Sequence, residues 1–185
     1  MYSVSQKVIP AARSLKDFEQ LMETEMEYVV MLQIHLSQAK HVTSLAKKSG
    51  VKVLLHADLI QGLRADEHGA QFLCQEVRPH GLISTHAQVV ATAKKRGLLA
   101  VQRIFLLDSQ SLETSYRVVQ SVKPDWIEVL PGVLTDVIRE VANNTQTPVL
   151  AGGFIRTTDD VDRALRAGAM AVTSSDKALW SYGSA

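Results

Sequence analysis

Short apolar runs alternate with amphipathic segments along the whole chain. Eight of the apolar runs have the length of buried strands and predict β-strands: Lys7–Ile9, Tyr28–Gln33, Val51–Ala57, Gly81–Ser84, Ala100–Leu106, Trp126–Val129, Pro148–Ala151 and Ala171–Thr173. Apolar residues at helical spacing predict helices near residues 15–23, 37–48, 66–76, 87–96, 110–121, 133–142, 158–166 and 176–180. Repeated strand–helix–strand units form a parallel sheet covered by helices, so the pattern indicates an α/β protein.

Residues at the ends of two helices support these assignments. Ser37 is an N-cap candidate for the second helix, and Gly50 follows it, where a left-handed residue ends many helices. Thr157 or Thr158 can cap the seventh helix, and Gly168 lies just beyond its last turn.

Eight units could close into a barrel or remain an open, doubly wound sheet. The number of units favours closure, as does the absence of a GxGxxG turn after the first strand. Dividing 185 residues by eight gives about 23 residues per unit, which requires short loops. We therefore expect residues 1–185 to form a single domain, a compact (β/α)8 barrel of the TIM type with parallel strands.

Polar residues occur near the carboxyl ends of the predicted strands, where this fold places its ligand sites. Strict alternation along the third strand directs His56 and Asp58 into the barrel, and alternation along the sixth directs Glu128 there. For Arg103 the pattern does not choose a face; if it points inward, it can pair with Glu128 or meet an anionic ligand. Each of these residues is also compatible with a hydrogen-bonded polar layer inside the barrel.

The ends of the last two strands carry the most specific chemical signal. Gly152 and Gly153 end the seventh strand, and Ser174 and Ser175 end the eighth. Glycines allow backbone N–H groups to approach a phosphate, serines add hydroxyl donors, and a short helix starting near Asp176 would add its positive end. The alternative is two tight turns that need small residues. A small phosphorylated ligand is the leading interpretation.

Composition limits the class of protein more than it defines the function. The chain is 46% hydrophobic, and 20 Lys and Arg against 19 Asp and Glu give a net charge of +1. Its single cysteine excludes an internal disulfide, and no apolar run has the length of a membrane span. With no secretory signal at its start, a soluble, cytoplasmic protein is expected. The sequence has no HExxH metal motif and no GxSxG nucleophile motif, so it predicts neither a metal site nor a catalytic residue.

The near-zero net charge conceals an uneven distribution. Residues 17–27 contain five acidic side chains and no basic one, whereas Lys94, Lys95 and Arg96 form a basic cluster. Cations are favoured at the carboxyl end of any helix, but such a cluster could also present positive charge to RNA.

Several segments together make the chain resemble the glycerol-3-phosphate-responsive antiterminators, which regulate glycerol-utilisation operons. The specific strings are QRIFLLDS at residues 102–109 and PDWIEVLPG at residues 124–132. Others that match are VIPA at 8–11, LLHADL at 54–59, GLIST at 81–85, AGGFIR at 151–156 and the terminal Ser174, Ser175, Leu179 and Trp180. The resemblance covers nearly the whole sequence.

This resemblance implies a protein that senses glycerol 3-phosphate, binds the leader of a nascent mRNA and lets RNA polymerase read through a terminator. It implies an effector ligand and no cofactor. Gly152, Gly153, Ser174 and Ser175 would then hold the phosphate, while His56, Asp58, Arg103 and Glu128 would contact the glycerol hydroxyls or shape the pocket. The RNA-contacting residues and the oligomeric state, including a homo-oligomer, stay open.

Two other functions remain compatible with the sequence. The same barrel could be an enzyme acting on a small phosphate ester, as an isomerase, lyase or phosphodiesterase, with His56, Asp58 and Glu128 as acid and base groups. A Schiff-base aldolase needs an inward lysine at a strand's carboxyl end, and Lys52 lies at the other end. A third alternative is a ligand sensor that acts on another protein without touching RNA.

Overall fold

Eight parallel strands close into a barrel in this computed structural model, which describes residues 4–183. In chain order the strands β1–β8 are Val8–Ala12, Tyr28–Met31, Lys52–His56, Gly81–Ser84, Leu99–Phe105, Trp126–Leu130, Val149–Gly152 and Ala171–Ser174. Each strand pairs with the next, and β1 pairs with β8 to complete the ring. The predicted (β/α)8 fold is confirmed.

Seven α-helices in the described residues surround the barrel. In chain order α1–α7 are Leu15–Leu21, Leu36–Lys48, Glu67–Phe72, Ala87–Lys95, Ser109–Val122, Thr135–Thr145 and Thr158–Arg166. The predicted eighth helix is a single 3-10 turn, Lys177–Leu179, and α3 continues as a π-helical turn, Leu73–Val77. No helix within residues 4–183 combines the length and the apolar character needed to cross a membrane.

Two helix starts test the predicted caps. Thr157 caps α7, where its hydroxyl accepts a hydrogen bond from the N–H of Asp160. The expectation for α2 was wrong: His35 is the N-cap, and its ring accepts from the N–H of Ser37. Aspartate, asparagine, serine and threonine are the usual capping residues, so the sequence pattern favoured Ser37 over His35.

The apolar alternation places two separate cores on the two sides of the barrel wall. Inward side chains, among them Ile9, Leu54, Val101 and Leu150, fill the barrel, whereas their strand neighbours pack against the helices. At the amino ends of the strands, the rings of Tyr28 and Trp126 lie 5.2 Å apart and close the interior. These two buried rings lie opposite the carboxyl ends of the strands, where the ligand sites of this fold are found.

The first strand is longer than predicted. Pro10 has no N–H to donate and is typical of a strand end, yet it lies inside β1, which continues to Ala12. Pairing of β1 with β2 is registered only at Ala11 and Ala12. Nearer the amino end of β2, the side chain of Gln6 accepts a hydrogen bond from the N–H of Tyr28 and donates one to the Tyr28 carbonyl, in place of backbone bonds between the two strands. Because β1 ends at Ala12, Arg13 is the first residue after the strand.

Candidate functional site

A cavity of about 220 Å³ opens at the carboxyl ends of the strands. Its wall combines residues from β1, β2, β5, β6, β7 and β8 and the loops that follow them: Ala11, Arg13, Val30, Leu32, Arg103, Glu128, Leu130, Gly153, Phe154, Thr173, Ser174 and Ser175. The wall therefore mixes guanidinium groups, hydroxyl groups and apolar surface. A cavity of this size accommodates a small metabolite rather than a nucleotide chain.

A buried ion pair forms the polar floor of this cavity. Nε of Arg103 donates to Oε2 of Glu128 at 2.7 Å, which shows that Arg103 points into the barrel. Glu128 is fully buried, and its second oxygen, Oε1, accepts from the hydroxyl of Thr173 at 2.6 Å. Among the described residues, Nη1 and Nη2 of Arg103 have no hydrogen-bond partner. Glu128 thus fixes the orientation of Arg103, while the two terminal nitrogens of Arg103 stay available to an anion.

Two backbone segments beside Arg103 offer N–H donors. Within residues 4–183, no acceptor takes a hydrogen bond from the N–H of Gly153, Phe154 or Ser175, and all three residues line the cavity. Gly153 has φ of +78°, a conformation that favours glycine. Unpaired N–H groups close to a guanidinium group are typical of a phosphate site.

The other predicted phosphate contacts have structural partners of their own. The Ser174 hydroxyl donates to the carbonyl of Ile155 at 3.1 Å and so ties the loop after β7 to β8. A Cβ on Gly152 would lie 2.6 Å from Oγ1 of Thr173 and 2.9 Å from Oε1 of Glu128, so this glycine leaves room for the buried carboxylate. A phosphate contact by either residue stays a prediction.

The predicted helix dipole after β8 is not available. The 3-10 turn Lys177–Leu179 is too short for a macrodipole, and the side chain of Asp176 already accepts a hydrogen bond from the N–H of Ala178. Any phosphate contact there must come from Ser175 itself.

Two matches in sequence and structure decide the family of this chain. The family described as glycerol-3-phosphate responsive antiterminator matches residues 8–180. A glycerol uptake operon antiterminator regulatory protein from Listeria monocytogenes has 40% sequence identity and a TM-score of 0.95, with 98% of both chains covered. The chain belongs to the glycerol-3-phosphate responsive antiterminator family.

More distant structures help to separate family from fold. An antiterminator-related protein from Thermotoga maritima has 25% identity and a TM-score of 0.83, with 97% of this chain and 99% of that one covered. A deoxyribose phosphate aldolase from Aeropyrum pernix has 19% identity and a TM-score of 0.73, covering 97% and 91% of the two chains. The likeness to the aldolase concerns the barrel alone. Antitermination regulators are the relatives that match in both sequence and structure.

In this antiterminator-family barrel, His56 lies inside the wall and not at the cavity surface. It is 2% exposed, and neither ring nitrogen has a hydrogen-bond partner among the described residues. Burial, followed by the positive charge of Arg103, lowers the pKa of His56 to about 4. The imidazole is therefore neutral near pH 7 and packs beside Arg103 without adding a second positive charge.

Asp58 also lies outside the cavity lining and joins two loops. Its carboxylate accepts hydrogen bonds from the hydroxyl of Ser84, from the N–H of Thr85 at 2.8 Å and from the Thr85 hydroxyl at 2.7 Å. Burial raises its pKa, but these hydrogen bonds outweigh that effect, so the pKa lies below its ordinary value. Asp58 thus fastens the loop after β3 to the loop after β4.

Of the eight predicted site residues, the structure therefore gathers Arg103, Glu128, Gly153, Ser174 and Ser175 around the cavity. Their roles in binding stay predictions. Sequence reasoning missed Arg13 and Thr173. Ending the first strand at Ile9 hid Arg13, which would otherwise stand out as the first polar residue after an apolar strand. Thr173 alternates correctly with Val172, but a threonine in a strand is too common to attract notice.

The residues on which the enzyme alternatives depend are paired or lie away from the cavity wall. Among the described residues that line the cavity there is no lysine, and Lys52 pairs with Glu27 at 3.0 Å at the other end of the barrel. The carboxylate of Glu128 is already paired with Arg103 and Thr173. No three His, Cys, Asp or Glu side chains in residues 4–183 are grouped as a metal site.

Proposed function

We propose that this antiterminator-family protein senses glycerol 3-phosphate and, once loaded, binds leader mRNA of glycerol-utilisation genes so that polymerase reads through a terminator. The observation that carries the sensing step is the cavity wall. Two arginines, Arg13 and Arg103, and the unpaired N–H groups of Gly153 and Ser175 meet there around a volume of about 220 Å³. A phosphate monoester carries the charge and acceptor atoms that such a wall satisfies.

In this proposal the phosphate lies between the loops after β7 and β8, with Arg13 on its exposed side. The glycerol hydroxyls lie deeper, near Glu128 and Thr173, since carboxylate and hydroxyl oxygens accept hydrogen bonds from alcohols. No cofactor and no catalytic residue take part. The leader mRNA partner places the protein in the cytoplasm.

Ligand and RNA binding are linked through two conformations of the protein. Glycerol 3-phosphate shifts the population only if it binds the RNA-competent conformation more tightly. A typical coupling of about 1–3 kcal/mol raises RNA affinity about 5- to 150-fold.

Calorimetry and an RNA mobility shift test the two steps. Titration with glycerol 3-phosphate should show one site per chain, while glycerol and inorganic phosphate should bind much more weakly. Arg13→Met should weaken glycerol 3-phosphate binding about tenfold, and Arg166→Met, at the last residue of α7 and away from the cavity, serves as the control. Leader transcript should shift at lower protein concentration when glycerol 3-phosphate is present. Equal shifts with and without the ligand would contradict the proposal.

The runner-up function is an enzyme acting on a small phosphate ester, since a wall with two arginines suits the phosphate of a substrate as well as that of an effector. Phosphorus NMR of glycerol 3-phosphate and related esters incubated with the protein discriminates between the two. New resonances that grow with time support the enzyme, whereas an unchanged spectrum with saturable binding supports the sensor. Binding without either turnover or an RNA shift indicates a sensor that acts on another protein.

A further inference from the structure

Exposed apolar side chains concentrate on one part of the barrel rim. Within residues 4–183, seven large hydrophobic side chains are exposed: Leu59, Phe72, Phe105, Leu107, Val133, Leu134 and Phe154. Four of the seven lie on the loops after β5, β6 and β7, and a fifth, Phe105, is the last residue of β5; these three strands are neighbours in the barrel. We call Phe105, Leu107, Val133, Leu134 and Phe154 the rim patch. Such clustering beside a ligand cavity marks an interaction surface rather than scattered surface residues.

Two of the five are phenylalanines with accessible rings. Phe105 is 50% exposed and Phe154 is 66% exposed. The guanidinium of Arg156 lies 5.7 Å from the centroid of the Phe154 ring, which combines a cation with an aromatic surface. Stacking of unpaired bases on aromatic rings, with nearby arginines that meet the phosphates, is how proteins commonly hold single-stranded RNA.

Two arginines near the rim patch have no carboxylate partner. Arg156 and Arg13 make no ion pair with a described residue. At the starts of the helices that follow, Asp136 pairs with Arg139 at 2.9 Å and Asp159 pairs with Arg163 at 3.4 Å, whereas Asp108 accepts from the N–H of Ser111 and keeps its negative charge. Arg156 and Arg13 are therefore the cations that a phosphate group of RNA can meet there.

The backbone holds Phe154 in an unusual and fixed position. Its φ is +60°, in the left-handed region that non-glycine residues rarely adopt. On one side, the carbonyl of Gly153 accepts from the N–H of Gly132 at 3.1 Å; on the other, the carbonyl of Ile155 accepts from the Ser174 hydroxyl. The backbone that carries the Phe154 ring is therefore held on both sides.

We propose that the rim patch is the RNA-binding surface, where unpaired bases of the leader stack on Phe154 and Phe105 beside Arg156. This inference rests on the proposed function, and it names the surface that the function requires. Because Phe154 also lines the ligand cavity, a phosphate held by the N–H groups of the same loop acts directly on the ring that binds RNA. The basic cluster at residues 94–96 lies at the opposite end of the barrel, and its Lys94 is paired with Asp125.

Substitutions that separate stacking from general apolar contact test this surface. Binding of the leader transcript is measured at saturating glycerol 3-phosphate, after the ligand affinity of every variant has been determined. Phe154→Leu keeps an apolar side chain but removes the ring, so RNA affinity should fall at least about fivefold, and Phe105→Leu should do the same. Phe154→Trp should retain affinity. Phe72→Leu, on α3 across the barrel, is the matched control and should bind as the wild type does.

The tryptophan variant also gives a direct signal. Trp126 and Trp180 are buried, so emission from an exposed tryptophan at position 154 is distinguishable and should be quenched when bases stack on it. Transcripts containing 4-thiouridine should cross-link to the peptide that carries Phe154.

The outcomes distinguish this inference from the proposed function. If wild-type protein shifts the transcript and both leucine variants bind equally well, the rim patch is the wrong surface although the function stands. Cross-links confined to residues 94–96 would also exclude the rim patch and leave the function intact. If sedimentation shows that the leucine variants lose a dimer together with RNA affinity, the patch is an interface between two copies. If wild-type protein binds no leader RNA, both proposals fall.

Discussion

The Nε–H of Arg103 donates to Oε2 of Glu128 at 2.7 Å inside the barrel, with the arginine side chain 11% exposed and the glutamate side chain 1% exposed. Both side chains line the cavity, although the glutamate is almost completely buried. Two charges removed from water are tolerated when each retains hydrogen bonds, and here Thr173 supplies an additional one. The pair therefore fixes the orientation of the arginine, on which the proposed phosphate site depends.

Glu128→Gln tests this dependence. Loss of the negative charge leaves the Arg103 guanidinium buried without a counterion, which should lower the free energy of unfolding by about 3 kcal/mol. Affinity for glycerol 3-phosphate should fall as well, because the arginine loses its fixed orientation. Urea denaturation and calorimetry measure the two effects. Asp136→Asn breaks an exposed pair with Arg139 and should leave both quantities unchanged. If Asp136→Asn lowered stability and affinity as much as Glu128→Gln does, the effect would not be specific to the buried pair.

Ser175 offers a test of the phosphate position that does not disturb the core. Ser175→Asp places a negative charge beside the unpaired N–H groups and should weaken glycerol 3-phosphate binding by tenfold or more, since like charges repel. Ser175→Ala keeps the backbone N–H and should bind within about threefold of the wild type. Calorimetry gives both affinities, and equal affinity of the two variants would place the phosphate elsewhere.

Backbone strain at Gly153 can be separated from ligand contact with a matched glycine. Gly153→Ala and Gly50→Ala both put a side chain at a positive φ, +78° and +72° respectively, and each should cost about 1 kcal/mol of stability. Gly50 has no atom within 4 Å of a built Cβ and lies far from the cavity. Only Gly153→Ala should also reduce glycerol 3-phosphate affinity. If neither variant lowered the affinity for glycerol 3-phosphate, the loop after β7 would not contact the ligand.

The low pKa of His56 predicts acid sensitivity. Unfolding restores the imidazole pKa from about 4 toward 6.5, so the unfolded chain takes up a proton first as pH falls. The stabilising effect is complete above pH 6.5 and is lost progressively between pH 6.5 and 4, amounting to about 3 kcal/mol.

Comparison with His56→Met isolates this effect from the other titrating groups. Urea denaturation at pH 7, 5.5 and 4.5 should show a steeper loss of stability for the wild type than for the variant. Asp58 adds a loss of the same sign at lower pH, below 3.8, because its native pKa is depressed. Parallel pH dependences of the two proteins would mean that folding leaves the pKa of His56 unshifted.

Several parts of this structure follow directly from the sequence. Alternation of apolar and polar residues along β3 and β6 placed His56 and Glu128 inside the barrel, and eight strand–helix units predicted closure. Thr157 and Gly50 marked helix ends through local chemistry. These features depend on neighbours in the chain, which the sequence displays.

Other features depend on contacts between distant residues. Periodicity left Arg103 undecided because Gln102 and Arg103 are both polar. In the structure Arg103 shares the inward face of β5 with Leu99 and Val101, and there it meets Glu128 of the adjacent strand. His56 and Asp58 share the predicted inward face, but the length of β3 and the turn after it place them beside the cavity and not in its wall. Arg13 became visible only once β1 was seen to continue past Pro10.

The sequence by itself determined the barrel and the family, because these depend on the period of apolar residues and on strings of adjacent residues. The tertiary structure decided which polar side chains share a cavity. It also brought the exposed rings of Phe105, at the end of β5, and Phe154, on the loop after β7, to one sector of the rim. The physical reason is that a closed barrel sets side chains from strands far apart in the chain side by side, and burial then decides which charges must pair and which stay free to bind.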